Sequence, residues 1–197
     1  PAHPARVGVL GKTAPGHDIV WCDVEPCYVF HPCNAFETAD GRITLDVVAH
    51  ATMFDTSRIG PGAGSAKFER WTVDPAARQV SRRVVDAQPQ EFPRCDERLT
   101  GKPYRYAYCV QLKTDAAGEF VPDQVLLRHD LNDGTRQVHD FGAGRMLGEF
   151  VFQPRHAGAA EDEGWLMGYV VDETQGTTDF VILDAQRFGA EPVAVVT

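Results

Sequence analysis

The sequence predicts an all-β fold, specifically a partial β-propeller of about three to four blades. Apolar and polar residues alternate over 68–73 and again over 79–85, on either side of a turn at 74–78, as in a β-hairpin. No segment of ten or more residues combines helical periodicity with capping signals. Strand–turn–strand units recur about every 40 residues, a spacing typical of four-stranded propeller blades.

The strands follow one another along most of the chain. The turn 39–42 precedes the first long alternating segment, and Asn132-Asp133-Gly134 joins a later pair. The acidic loop 161–164 separates two apolar segments near the end. The predicted strands are 43–50, 68–73, 79–85, 124–130, 136–141, 148–152, 165–171 and 179–184.

Composition excludes several classes of function. The 197 residues carry a net charge of −9, whereas proteins that bind a nucleic-acid backbone present a basic face, so no nucleic-acid partner is expected. No apolar run approaches the ~18 residues of a membrane span.

The five cysteines are odd in number and irregularly spaced, which favours a reducing, cytoplasmic location over a disulfide framework. The start at Pro1, without Met or a signal-peptide pattern, suggests a chain cut from a longer protein.

Three stretches carry candidate site residues. His31 ends an aromatic-rich strand, and the following Pro32 cannot donate a ladder hydrogen bond. Glu91 lies in an alternating strand with a proline on each side, and Glu149 begins a hydrophobic strand. A buried carboxylate needs a partner, which the free ring N–H of a metal-bound imidazole provides. Taken singly, each residue also fits a structural role: a hydrogen-bonded histidine in a turn, or an exposed carboxylate on an edge strand.

Three motifs resemble those of the carotenoid cleavage oxygenases, the retinal pigment epithelial membrane protein family, which includes stilbene-cleaving dioxygenases and the retinoid isomerase of the eye. They occur in the family's order and approximate spacing, and weaker similarity runs along the whole chain. The motifs are Phe30-His31-Pro32-x-Asn34-Ala35-Phe36-Glu37, Glu91-Phe92-Pro93-Arg94, and Gly148-Glu149-Phe150-Val151-Phe152 followed by 161–166.

The resemblance implies a seven-bladed propeller with Fe(II) on its axis, bound by four histidines that three glutamates hold in place. His31 resembles the third iron ligand, Glu91 the glutamate that holds it, and Glu149 the glutamate that holds the fourth ligand. The other ligands would lie upstream of Pro1 and soon after Thr197. Residues 1–197 are therefore expected to be the C-terminal part of a single oxygenase domain, truncated at both ends.

For the full-length protein, the resemblance implies cleavage of a carbon–carbon double bond by O₂ to give two carbonyl products. The substrate would be an apolar alkene: a carotenoid, an apocarotenoid or a stilbene-like molecule. Peripheral membrane contact through the full-length protein is a further expectation, and the isolated chain is expected to be inactive.

The alternative is a non-catalytic β-propeller that acts as a binding or scaffold module. In the oxygenase, His31 and Glu91 should lie within hydrogen-bonding reach. In the alternative, His31 would pack in apolar core and Glu91 would face water.

Other candidate sites receive less support. Cys22, Cys27, His31 and Cys33 lie within twelve residues and suggest zinc, but they lack the paired spacing of common zinc sites. Strand alternation predicts that His50, His129 and His139 face solvent. The acidic run 161–163 is expected to be a solvated turn, and the glycine-rich segment 60–65 lacks the lysine and helix of a phosphate loop.

Overall fold

The protein is built almost entirely from strands. The computed structural model describes residues 4–54, 66–115 and 120–197, and the segment 60–65 lies outside these ranges. Short 3₁₀ turns cover Gly16–Asp18, Glu97–Leu99 and Ala185–Arg187. The described strands are β1 Ala5–Val9, β2 Val20–Val24, β3 Tyr28–Glu37, β4 Ile43–His50, β5 Ala66–Asp74, β6 Gln79–Asp86, β7 Gln90–Arg94, β8 Tyr106–Thr114, β9 Phe120–Asp130, β10 Thr135–Asp140, β11 Arg145–Pro154, β12 Gly164–Asp172, β13 Thr177–Asp184 and β14 Ala194–Val196.

The strands form three successive antiparallel meanders of four strands each. They are β3–β6, β7–β10 and β11–β14, and each strand pairs with its neighbour in sequence. The hairpin β1–β2 joins the first meander through one parallel pairing, between Asp23 and Gln79. Three such meanders are the blade architecture predicted from the sequence, at the lower end of the predicted number.

The meanders pack face to face, with their first strands next to one another. β3 contacts β7, and β7 contacts β11. One apolar cluster joins the first meander to the second, with Phe68 and Ala107 fully buried. A second cluster joins the second meander to the third, around Tyr108, Phe150 and Leu166. The first strand of each meander therefore lies where residues from neighbouring blades meet.

The prediction that His50, His129 and His139 face solvent is wrong. They are 1%, 2% and 8% exposed. Where one blade packs on the next, the polar face of a strand lies at the interface between blades rather than in water. The buried rings are hydrogen-bonded instead: His139 Nδ1 donates to the carbonyl oxygen of Phe188 at 2.8 Å, and His129 Nε2 lies 2.7 Å from Gln90 Oε1.

Burial of His129 makes the stability of the chain depend on pH. Desolvation lowers its pKa from 6.5 to about 4, against an opposing effect of Asp86 and with a smaller lowering by Arg136. His129 therefore binds a proton more readily in the unfolded chain than in the folded chain. The contribution of His129 to the free energy of unfolding is therefore complete above about pH 6.5 and is lost as pH falls toward 4, by at most about 3 kcal/mol. Urea unfolding at pH 7.5 and pH 5 should show this loss.

The variant His129→Gln isolates that contribution, because glutamine retains an N–H donor for Gln90 but does not titrate. Its free energy of unfolding should fall less between the two pH values than that of the wild type. His17→Gln is the matched control, since His17 is 81% exposed in its side chain. An unchanged pH dependence in His129→Gln would contradict this assignment.

The acidic run 161–163 is also more than a solvated turn. Glu161 Oε1 accepts hydrogen bonds from the backbone N–H groups of Arg105 and Tyr106 at 2.6 and 2.7 Å, and its pKa is raised by burial. Asp162 pairs with Arg128 at 2.9 Å. The loop that joins β11 to β12 is thereby fastened to the second meander, which helps to fix the relative position of β7 and β11.

The five cysteines are free thiols, and Cys22, Cys95 and Cys109 are buried, as expected of small apolar core residues. Within the described ranges, the protein has no helix with the length and apolar character needed to cross a bilayer.

Candidate functional site

His31, Glu91 and Glu149 lie on three equivalent strands. They occupy β3, β7 and β11, the first strands of the three meanders. The strand pairing is irregular at each of them: β3 shifts register between Val29 and Asn34, β7 between Glu91 and Arg94, and β11 between Leu147 and Phe150. Such bulges bend a strand and re-aim its side chains. They direct the three residues away from the regular alternation of their sheets.

His31 combines a fixed ring with an accessible edge. Its Nδ1 lies 2.9 Å from Glu91 Oε2, while the side chain as a whole is 46% exposed. A carboxylate accepts hydrogen bonds but cannot donate them, so Nδ1 carries a proton, and in the neutral ring Nε2 then carries a free lone pair. The ring also packs against Phe92, with 5.5 Å between ring centroids. His31 is thus held in the tautomer that presents Nε2 as a ligand.

Glu91 reaches His31 because the backbone turns sharply after it. Phe92 adopts a left-handed conformation with φ of 54°, which is uncommon for a bulky residue, and its N–H donates to Glu91 Oε2 at 2.9 Å. Pro93 has no N–H for the ladder. Strain of this kind persists only where the surroundings enforce it, and it clusters at functional sites. The turn places Glu91, only 6% exposed, between two blades.

A second histidine, His50, binds the same carboxylate. His50 Nε2 lies 2.6 Å from Glu91 Oε1, and the His50 side chain is 2% exposed. Its ring meets Phe30 edge to face, with centroids 5.4 Å apart. Sequence reasoning missed this residue, because alternation along β4 placed it on a face taken to be solvated. Its partner lies 41 residues away, so no local pattern reveals the contact.

Glu149 has a different environment from Glu91. Its side chain is 41% exposed, and its Oε1 lies 2.8 Å from Arg94 Nε, an ion pair that lacks the alignment of a hydrogen bond. Arg94 also approaches Glu97 at 3.4 Å. Since Arg94 follows Glu91 by three residues on β7, the pair links the strand of Glu91 to the strand of Glu149. A role for Glu149 in holding a further histidine stays a prediction.

The zinc alternative is wrong. Parity along β3 placed Cys27, His31 and Cys33 on one face, but the two register shifts between Val29 and Asn34 break that parity. Cys27 packs with Val47 and Trp71, whereas Cys33 packs with Val48 and Phe68 on the opposite face of the sheet. Cys22 is buried, with its thiol 3.8 Å from the carbonyl oxygen of Asp74.

The described residues do not form a complete metal site. No group of three or more His, Cys, Asp or Glu side chains in 4–54, 66–115 and 120–197 could hold an ion. His31 nevertheless fits a metal ligand, because its second nitrogen is bound to a carboxylate, the arrangement usual for histidines that bind metals.

The chain is similar along its whole length to proteins of one family. The family model for the retinal pigment epithelial membrane protein matches residues 1–197. The chain is 38% identical over 203 residues to the carotenoid cleavage oxygenase of Mycobacterium tuberculosis, covering 100% of this chain and 40% of that protein. It is 32% identical over 209 residues to the apocarotenoid-15,15'-oxygenase of Synechocystis, with the same coverage. The chain thus spans about 40% of the length of these curated relatives.

Solved structures show the same fold. The crystal structure of cobalt-substituted Synechocystis apocarotenoid oxygenase superposes with a TM-score of 0.83 at 30% identity, over 98% of this chain and 40% of that one. A chimera of that oxygenase with the retinal pigment epithelial membrane protein gives a TM-score of 0.84 at 27% identity, with the same coverage. These comparisons confirm the predicted partial propeller.

Proposed function

The chain belongs to the retinal pigment epithelial membrane protein family, and from that premise we propose that it is part of an Fe(II)-dependent dioxygenase. The enzyme would cleave a carbon–carbon double bond of a carotenoid, apocarotenoid or stilbene-like substrate. The double bond breaks, each of its carbons gains one oxygen atom from O₂, and two carbonyl products result. The oxygenase names of the curated relatives support this reaction class.

One observation carries the proposal: Glu91 holds His31 by Nδ1 at 2.9 Å, which leaves Nε2 free on a half-exposed ring. His31 would bind the iron through Nε2. Glu91 fixes the tautomer and raises the basicity of the ligand, because a carboxylate that accepts the N–H increases electron density on the other nitrogen. Iron(II), when bound, would supply the redox chemistry by which O₂ reacts with an alkene.

The surroundings of His31 suit an apolar substrate. Phe30 stacks near the ring with centroids 6.1 Å apart, and Phe92 lies on it at 5.5 Å. Tyr28 and Phe30 are 39% and 41% exposed, and their rings meet at 4.8 Å. These aromatic side chains would bind a conjugated chain beside the metal ligand and exclude water from it. The residues that line the substrate site would determine which substrate binds and which bond is cleaved, and this chain would supply only some of them.

The free thiols support a proposal for the cellular location. Five free cysteines favour a reducing compartment, so we place the enzyme in the cytoplasm. Peripheral contact of the full-length protein with a membrane stays a prediction.

The test compares the full-length gene product with the 197-residue chain. We expect the full-length protein to purify with about one iron per molecule and to convert carotenoid or stilbene substrates to carbonyl products labelled from ¹⁸O₂. The isolated chain, with one of four ligands, should bind iron weakly and show no cleavage. Atomic emission and mass spectrometry of the products provide the two measurements.

Two results would contradict the proposal. Tight, stoichiometric iron in the isolated chain would show that its site does not depend on histidines elsewhere. Iron-loaded full-length protein that binds these alkenes without converting them would favour the non-catalytic binding module.

A further inference from the structure

We propose that His50 is a positioning residue, which orients the carboxylate of Glu91 and through it the ring of His31. The consequence for iron rests on the proposed function, whereas the coupling between the three side chains does not. His50 Nε2 is 2.6 Å from Glu91 Oε1, and His31 Nδ1 is 2.9 Å from Glu91 Oε2. One buried carboxylate therefore joins two imidazoles.

The donors around Glu91 show why His50 matters. Oε2 accepts two hydrogen bonds, from His31 and from the N–H of Phe92. Oε1 has one donor among the described residues, His50. A buried carboxylate oxygen without a donor is costly, so loss of His50 would drive the carboxylate to rotate or shift toward other donors. Either movement alters the hydrogen bond that fixes His31.

The two ring nitrogens of His50 have different surroundings. Nε2 faces a carboxylate oxygen, which can only accept, so Nε2 carries hydrogen and donates to Glu91. Nδ1 is buried and has no hydrogen-bond partner among the described residues. Glu91 is therefore the one described group to which the His50 ring is hydrogen-bonded.

The fold makes this contact a link between blades. His50 ends β4, directly opposite Tyr28 at the start of β3, so it belongs to the same blade as His31. Glu91 comes from the next blade and receives both histidines of the first. Phe30 packs against both rings, at 6.1 Å from His31 and 5.4 Å from His50. The two imidazoles therefore bind Glu91 from one blade, and the Phe30 ring packs against both of them.

The test uses two substitutions at position 50. His50→Leu removes the donor but keeps an apolar side chain of similar size, and His50→Gln retains an N–H near the place of Nε2. The first readout is the ¹⁵N spectrum of the His31 ring in the metal-free chain at constant pH. We expect wild type and His50→Gln to show a single Nδ1–H tautomer at His31, and His50→Leu to show a mixture of tautomers.

The second readout is the iron affinity of the full-length protein. We expect it to fall about tenfold in His50→Leu, which is the low end of the roughly 10–100-fold loss that follows removal of a group hydrogen-bonded to a metal ligand. In His50→Gln we expect the affinity to stay near that of the wild type. An unchanged His31 spectrum in a folded His50→Leu chain would overturn the proposal. So would a His50→Gln variant that behaves as His50→Leu does. Failure of the wild-type protein to bind iron would instead contradict the proposed function, since the tautomer measurement needs no metal.

Discussion

Replacing His31 with alanine in the full-length protein is expected to abolish alkene cleavage and to remove most of the iron. The loss of affinity should exceed the roughly 10–100-fold that follows removal of an outer partner of a ligand, because the ligand itself is lost. Since the side chain is 46% exposed and makes one hydrogen bond, the fold should tolerate the change. Iron content and the initial rate of substrate loss are the measurements.

Glu91→Gln in the full-length protein should give an iron content and a rate of substrate loss between those of the wild type and those of His31→Ala. The glutamine amide has one acceptor oxygen where the carboxylate has two, so it can accept from only one of His31 and His50.

The matched control for His31→Ala is His156→Ala. The His156 side chain lies on the loop after β11 and is 60% exposed. Retention of iron and activity in His31→Ala, or equal losses in His156→Ala, would show that His31 is not a ligand.

The sequence predicts strands best where one face of a hairpin is apolar and the turn is explicit. β5 and β6, joined by the turn 74–78, and β9 and β10, joined through Gly134, lie close to their predicted places. β8 is not among the predicted strands, because Ala107, Cys109 and their neighbours form a nearly continuous apolar segment that lacks alternation. A strand covered on both faces has no solvated side to produce the period of two.

The same packing explains why the sequence predicts the site only in part. The order of the motifs identifies His31 and Glu91, and the structure brings them together. His50 is assigned to solvent, because alternation along β4 gives the face of a side chain but not what covers that face. Asp46 on the same strand is fully buried for the same reason. The partners of both residues belong to later segments of the chain, so only the folded arrangement reveals them.

Asp46 leads to the largest expected effect on stability. Its carboxylate, 0% exposed, accepts two hydrogen bonds from Arg70, each of 2.8 Å, and one of 2.6 Å from the Tyr104 hydroxyl. Asp46→Ala leaves a mostly buried guanidinium and a buried hydroxyl without their acceptor. Breaking a buried pair from one side costs about 3–5 kcal/mol, so the free energy of unfolding should fall by about that amount. Chemical denaturation followed by circular dichroism measures it.

A matched control and a double substitution separate the charge interaction from the lost volume. Asp133→Ala removes a 59% exposed partner of Arg105, which Asp130 still binds, and should cost about 0.5 kcal/mol or less. Asp46→Ala combined with Arg70→Ala should destabilise less than the sum of the single changes, because the second substitution removes the group that the first left unpaired. Strict additivity would mean that the loss in Asp46→Ala comes from packing around Tyr104 and not from the ion pair.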